Sequence, residues 1–228
     1  MKIKTRIIAS SIAAIVLCTG SSAFAEGKSY SDVSAQSPYY DAIMYMTENG
    51  VFTGVSETEF APETSLTRGM FVTLLGRVYE NLNGSEGAPN KTDLKTNFKD
   101  VKADDYYCAA VSWAQENGIV TGYSDEIFAP NDCLTKEQAT AILCRFSKYS
   151  NDAFLTGEDT NILSYEDFGS ISQYAIPAIQ WGLANGIIDD SGAKINADKE
   201  VTRAQAAQYL YNYTEKWFNS RSDSEVTG

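Results

Sequence analysis

Three cations hold the same place in three copies of one pattern: Arg68, Lys136 and Arg203 each follow a threonine, Thr67, Thr135 or Thr202. Threonine in that setting is a helix N-cap. A cation in the first helical turn opposes the positive end of the helix dipole, at a cost of about 0.3–1 kcal/mol. All three copies carry one nevertheless. The same helix end presents unpaired backbone N–H groups, so an added guanidinium or ammonium turns it into a pocket for an anion. The competing use is an ion pair with an aspartate such as Asp32, Asp100 or Asp167, an interaction worth about 0–1 kcal/mol at a surface. If the cations are ligands, replacing them leaves the fold intact; if they are struts, it does not.

The elements that place these residues recur with them. Residues 32–78 superimpose on 100–146 at a constant offset of 68, pairing Asp32 with Asp100, Gly50 with Gly118, Phe60 with Phe128, Pro62 with Pro130 and Arg77 with Arg145. A third copy runs through Asp167, Trp181, Asn185-Gly186 and Val201 to Gln205, with the offset slipping by one at two points. Repeats of this length are supersecondary units that cannot bury their apolar faces alone.

Each copy predicts two helices. The first covers roughly 38–48, 106–116 and 174–184, and each ends on Asn-Gly, a left-handed C-cap in which glycine carries no Cβ penalty. A loop follows, with Phe60-Ala61-Pro62 and Phe128-Ala129-Pro130 pinning it to the core. The second helix starts after each threonine. Thr135 with Gln138 and Thr202 with Gln205 have capping-box spacing. Behind the caps, Phe71, Leu74, Leu75 and Val78 form an apolar stripe that the other copies repeat, and a stripe of this spacing is a packed helix face. Residues 80–97 and 147–164 are polar and read as exposed connections.

Composition narrows the function. Lys2, Lys4 and Arg6 precede an apolar run from Ile7 to Cys18 and a small-residue site at Ala23-Phe24-Ala25, so residues 1–25 read as a secretory signal. Beyond it no run is apolar for long enough to span a membrane. Setting aside those three cations leaves 15 basic against 30 acidic side chains, and nucleic acid is excluded as a partner because phosphate binding needs a basic face. The chain has no histidine, which removes serine–histidine and cysteine–histidine nucleophiles and histidine metal sites. No catalytic group, cofactor or metal is expected. Cys108, Cys133 and Cys144 are odd in number and read as ordinary small side chains.

Together, Asp-Val, an aromatic, Ala-Ile or Ala-Val, Asn-Gly, a second glycine, Phe-Ala-Pro and Leu-Thr-Arg resemble the S-layer homology domain, whose second helix opens on a Thr-Arg-Ala-Glu-like sequence. Here those openings are Thr67-Arg68-Gly69-Met70, Thr135-Lys136-Glu137-Gln138 and Thr202-Arg203-Ala204-Gln205. The resemblance implies an all-α fold, three helix-loop-helix repeats in a pseudo-threefold, three-pronged module at 30–80, 97–147 and 164–214, followed by a flexible tail at 215–228. It implies a secreted cell-surface protein held non-covalently on the cell wall or S-layer.

It also implies a glycan-binding set. Arg68, Lys136 and Arg203 would clamp the carboxylate of a pyruvyl ketal on a secondary cell wall polysaccharide, in grooves between adjacent repeats, with Asp32, Asp100, Asp167, Gln138 and Gln205 beside them. The aromatic slot on the first helix holds Tyr45, Trp113 and Trp181, as a stacking wall for sugar or as core, since large amphipathic rings serve both ends. Departures bear on the grooves: Lys136 lacks the planar fork of arginine, Gly69-Met70 replaces Ala-Glu, and Asp189-Asp190 and Ala197 replace the second glycine and the proline of repeat three. The alternative reading is an envelope assembly subunit that contacts surface proteins.

Overall fold

The computed structural model describes residues 29–90, 95–150, 156–157, 159–189 and 192–226, with side chains described up to residue 219. The expected signal at 1–25 and Asp190 lie outside the described residues. The fold is all-α, with no strand among the described residues: α1 Tyr40–Glu48, α2 Arg68–Asn83, α3 Cys108–Glu116, α4 Lys136–Tyr149, α5 Ile176–Ala184 and α6 Arg203–Val226.

Each first helix begins two residues later than its periodicity suggests. Tyr39, Tyr107 and Ala175 offer no side-chain cap, and the chain enters through turns, with Tyr40 N donating to Ser37 O and Cys108 N to Asp105 O. In the third copy a 3₁₀ turn at Gln173–Ala175 leads into α5, whose Pro177 stands in the first turn, where its missing N–H costs nothing. The exits follow expectation. Gly50, Gly118 and Gly186 are left-handed, at φ 71°, 67° and 65°, and the asparagine amides before them bond back to Tyr45, Trp113 and Trp181 carbonyls.

The helices exchange partners between copies. α3 packs on α2, α5 on α4, and α1 closes the circle on α6, so each first helix buries its apolar face against the second helix of a neighbouring repeat. Phe146 of α4 meets Tyr213 of α6 at 5.3 Å and Tyr79 of α2 at 6.4 Å between ring centres. The segments just before the second helices are stitched into a ring, since Leu66 N donates to Val201 O, Val201 N to Leu134 O and Leu134 N to Leu66 O. Each of those three donors thereby has a partner in a neighbouring repeat, as burial of backbone polar groups requires.

The connection after α2 and the C-terminal segment both pack against the helices. Gly87 O accepts from Trp113 Nε1 at 2.8 Å, and the Pro89 ring lies over Gly76 where a Cβ would meet it at 2.6 Å. The segment expected as a flexible tail from 215 instead continues α6 to Val226, helped by the burial of Trp217.

Candidate functional site

The site is built on a recurring strap. In each repeat the residue after the buried loop anchor, Phe60, Phe128 or Ile195, is left-handed without being glycine: Ala61 at φ 58°, Ala129 at 58° and Asn196 at 55°. Such a backbone costs energy and persists only when its surroundings hold it. Here the holder is an aspartate. Asp32 accepts from Phe60 N and Ala61 N at 2.9 and 2.7 Å, Asp100 from Phe128 N and Ala129 N at 2.9 and 2.7 Å, and Asp167 from Ile195 N and Asn196 N at 2.9 and 2.6 Å. Desolvation opposes ionisation of Asp32 and Asp167, but the backbone donors outweigh it and hold both below the ordinary carboxylate value.

The strap in turn presents a carbonyl to the cation of the preceding repeat in the circle. Arg203 Nε donates to Phe60 O at 2.8 Å, Arg68 Nε to Phe128 O at 2.9 Å and Lys136 Nζ to Ile195 O at 2.7 Å. The guanidiniums also lie over aromatic rings: Arg68 over Tyr123 and Phe128 at 4.6 and 4.8 Å, Arg203 over Phe60 at 4.6 Å. Burial lowers the pKa of all three cations from their ordinary values.

Three grooves open beside these cations, one at each junction between repeats. The first, of about 310 Å³, is lined by Arg68, Tyr123, Gln138, Arg145 and Tyr174. The second, of about 450 Å³, is lined by Lys136, Asp189, Gln205, Gln208 and Asn212. The third, of about 180 Å³, is lined by Arg203, Thr53, Met70, Arg77 and Tyr106. Each is composed alike: a helix-start cation from one repeat, and from the next repeat its loop after the first helix and its second helix.

Arg68 is 5 % exposed, its Nε is committed to Phe128 O, and its two terminal nitrogens make no hydrogen bond among the described residues. Arg145 on α4 lowers the pKa of Arg68 further by like charge. Tyr174 walls the same groove; burial and then the charge of Glu137 push it up to about 12, so it stays protonated and donates to Glu137 Oε1 at 3.2 Å. Glu137 also accepts from Ser172 N and Oγ, fixing the entry to α5 against α4. Gln138 completes a capping box with Thr135 and places its amide nitrogen 3.5 Å from Tyr123 Oη.

The structure sorts the expected site residues into three groups. Arg68, Lys136, Arg203, Gln138 and Gln205 line grooves. Asp32, Asp100 and Asp167 line none, and no ion pair joins them to the three cations among the described residues; they are strap holders that position a cation through a carbonyl. Trp113 and Trp181 are core, 7 % and 0 % exposed, because the first helix turns that face toward the neighbouring repeat; the slot does not provide a stacking wall. Tyr45 of the same slot packs on Tyr211 at 5.2 Å. The partly open aromatics beside the grooves are Tyr106, Tyr123 and Tyr174.

Arg77 and Arg145 were missed as site residues, although they recur at the offset of 68, each just before an apolar stripe residue, Val78 or Phe146. That recurrence was the available signal. Cys108 and Cys144 are buried and Cys133 is exposed, and none of the three is in a disulfide among the described residues. Among the described residues no helix is long and apolar enough to cross a membrane, and no cluster of three or more acidic or cysteine side chains is placed to hold a metal.

Comparison with known proteins bears on this arrangement. A family model described as the S-layer homology domain matches at residues 29–69, 97–140 and 164–207. An endoglucanase from Bacillus sp. (strain KSM-635) is 30% identical over 182 residues, covering 79% of this chain and 18% of that protein. A surface-layer 125 kDa protein from Lysinibacillus sphaericus is 29% identical over 171 residues, 73% of this chain and 13% of that one. A cellulosome-anchoring protein from Acetivibrio thermocellus is 32% identical over 111 residues, 46% and 22% of the two chains. The chain spans between 10% and 24% of the length of the curated relatives it matches.

Proposed function

The chain belongs to the S-layer homology domain family, and from that membership we propose that it is a non-catalytic cell-surface module that anchors itself to the cell wall by binding an anionic secondary polysaccharide. Residues 1–25 serve as its secretory signal, and the repeats at 30–80, 97–147 and 164–214 form one pseudo-threefold unit. The cyclic exchange of helices and the ring through Leu66, Val201 and Leu134 support that symmetry. The anion is the carboxylate of a pyruvyl ketal, met by the helix-start cations.

One observation carries this reading. In a chain of net charge −12, two half-free arginines, Arg68 and Arg145, face one groove that no acidic side chain lines among the described residues. Like charges gathered beside a groove that no acid lines favour an anion between them, while Asp132, outside that lining, also favours the charged form of Arg68. The overall negative charge repels an anionic polymer at long range, so affinity comes from these close charge-assisted bonds. Matches to enzymes extend over a small share of those proteins, consistent with a shared attachment module.

Co-sedimentation with protein-free wall sacculi tests the proposal. The chain should pellet with intact sacculi and stay in solution with sacculi stripped of secondary polymer. Equal pelleting with both, or self-pelleting without sacculi, would favour assembly through protein contacts.

A further inference from the structure

The three grooves are alike in construction and unlike in charge. In the first, Arg68 and Arg145 both line the cavity; in the third, Arg203 and Arg77 do. At the position of Arg77 and Arg145 the second groove has Asn212, and at the position of Thr53 and Thr121 it has Asp189. Its single cation, Lys136, already donates to Ile195 O and is stabilised as a charge by Asp189 and Asp167. Two grooves therefore carry two positive charges each, and the second carries one of each sign.

Three amides, Gln205, Gln208 and Asn212, line the second groove, with Tyr39 and Tyr209 beside them. Gln205 Oε1 accepts from Thr202 N at 3.0 Å, which leaves its NH₂ as a donor. Gln208 donates to Asn212 Oδ1 at 2.7 Å, and Asn212 donates to Ile187 O at 3.1 Å. A run of amides with one internally balanced charge matches sugar hydroxyls, which both donate and accept. An incoming carboxylate would meet Asp189 as a like charge. Resting on the proposed glycan-binding function, we infer that the Arg68–Arg145 and Arg203–Arg77 grooves take the anionic units of the polymer, whereas the Lys136 groove takes an uncharged, hydroxyl-rich unit.

In the charged grooves the division of labour is geometric. Among the described residues the terminal nitrogens of Arg68 and the guanidinium of Arg145 make no hydrogen bond, so a carboxylate can be held bidentately by one guanidinium and approached by the other. Arg203 keeps one terminal nitrogen, because Nη2 donates to Thr53 O at 2.8 Å, and Arg77 spends Nη1 on Val51 O at 2.8 Å. The smaller third groove is therefore the weaker of the two.

Two monosaccharide probes separate the classes: the methyl glycoside of a pyruvyl-ketal hexosamine and its ketal-free counterpart. Each is titrated into the intact chain while side-chain N–H signals are followed by NMR. The acid should shift Arg68, Arg145, Arg77 and Arg203 signals and leave the Gln205 and Gln208 amides in place. The neutral sugar should do the reverse. Arg145→Gln, at a residue without hydrogen bonds among the described residues, should weaken the acid roughly tenfold or more at the first groove while the Gln205 response persists. If the acid shifts Gln205 and Arg68 with equal affinity, the grooves are equivalent and the inference falls while glycan binding stands. If neither sugar moves any groove signal, glycan binding falls with it.

Discussion

Arg203 Nε donates to the carbonyl of Phe60 at 2.8 Å across 143 positions of sequence. The residue that opens the third groove thus also latches the last repeat onto the first. Arg68 and Phe128 make the corresponding bond between the first and second repeats. Site and fold share these residues, so ligand and strut are not exclusive uses for Arg68 and Arg203.

Arg68→Ala should destabilise the protein by about 1–3 kcal/mol, because the Phe128 carbonyl loses its buried donor. Arg145→Gln removes a charge that bonds to nothing among the described residues and should stay within about 0.5 kcal/mol of the parent. Urea midpoints at constant m-value compare the two.

Caps should rank by their reciprocity. Thr135 and Thr202 face a glutamine that returns a bond to the cap backbone, whereas the Thr67 hydroxyl accepts from the N–H of Met70, whose thioether side chain has no donor or strong acceptor to reciprocate. Replacement by alanine should cost about 0.5–2 kcal/mol at each, with Thr67→Ala at the low end. Thermal unfolding of the three variants gives the order.

Two left-handed glycines should behave differently. A Cβ at Gly118 meets nothing within 4 Å, while one at Gly122 would come within 2.5 Å of Ile127 O and the Phe98 ring. Gly118→Ala should cost about 1–2 kcal/mol from backbone strain alone. Gly122→Ala should cost more, and it should also impair binding at the Arg68 groove, whose wall it forms.

Acid should loosen the straps. The folded pKa of Asp32 and Asp167 lies below the ordinary value, near 3.9, so the stability they contribute is fully present above that value. It is lost as pH falls through the lower folded value. Melting temperature should drop as the solution is acidified below about pH 4, and Asp32→Asn with Asp167→Asn should flatten that decline.

What could be read from the sequence was what local chemistry decides. Thr67, Thr135 and Thr202 cap as their hydroxyls require, and Asn49-Gly50 and its counterparts end helices because asparagine bonds back while glycine turns left-handed. The apolar stripes behind the caps are core. What escaped depends on neighbours distant in sequence. Trp113 and Trp181 became core only because each first helix packs on another repeat's second helix. Asp32 holds Ala61 rather than Arg203, a choice set by a left-handed turn 29 positions away. Arg145 faces Arg68 because one repeat's helix walls another's groove, a juxtaposition that no spacing within a single repeat encodes.

The central claim is that inter-repeat grooves bind an anionic wall glycan. Calorimetry at fixed, moderate salt with purified secondary polymer, in pyruvylated and ketal-free forms, tests it most directly. The account predicts clear binding to the pyruvylated polymer and binding weaker by roughly tenfold or more once the ketal is removed, with the difference shrinking as salt rises. Equal affinity for the two forms, or no heat with either, would contradict it.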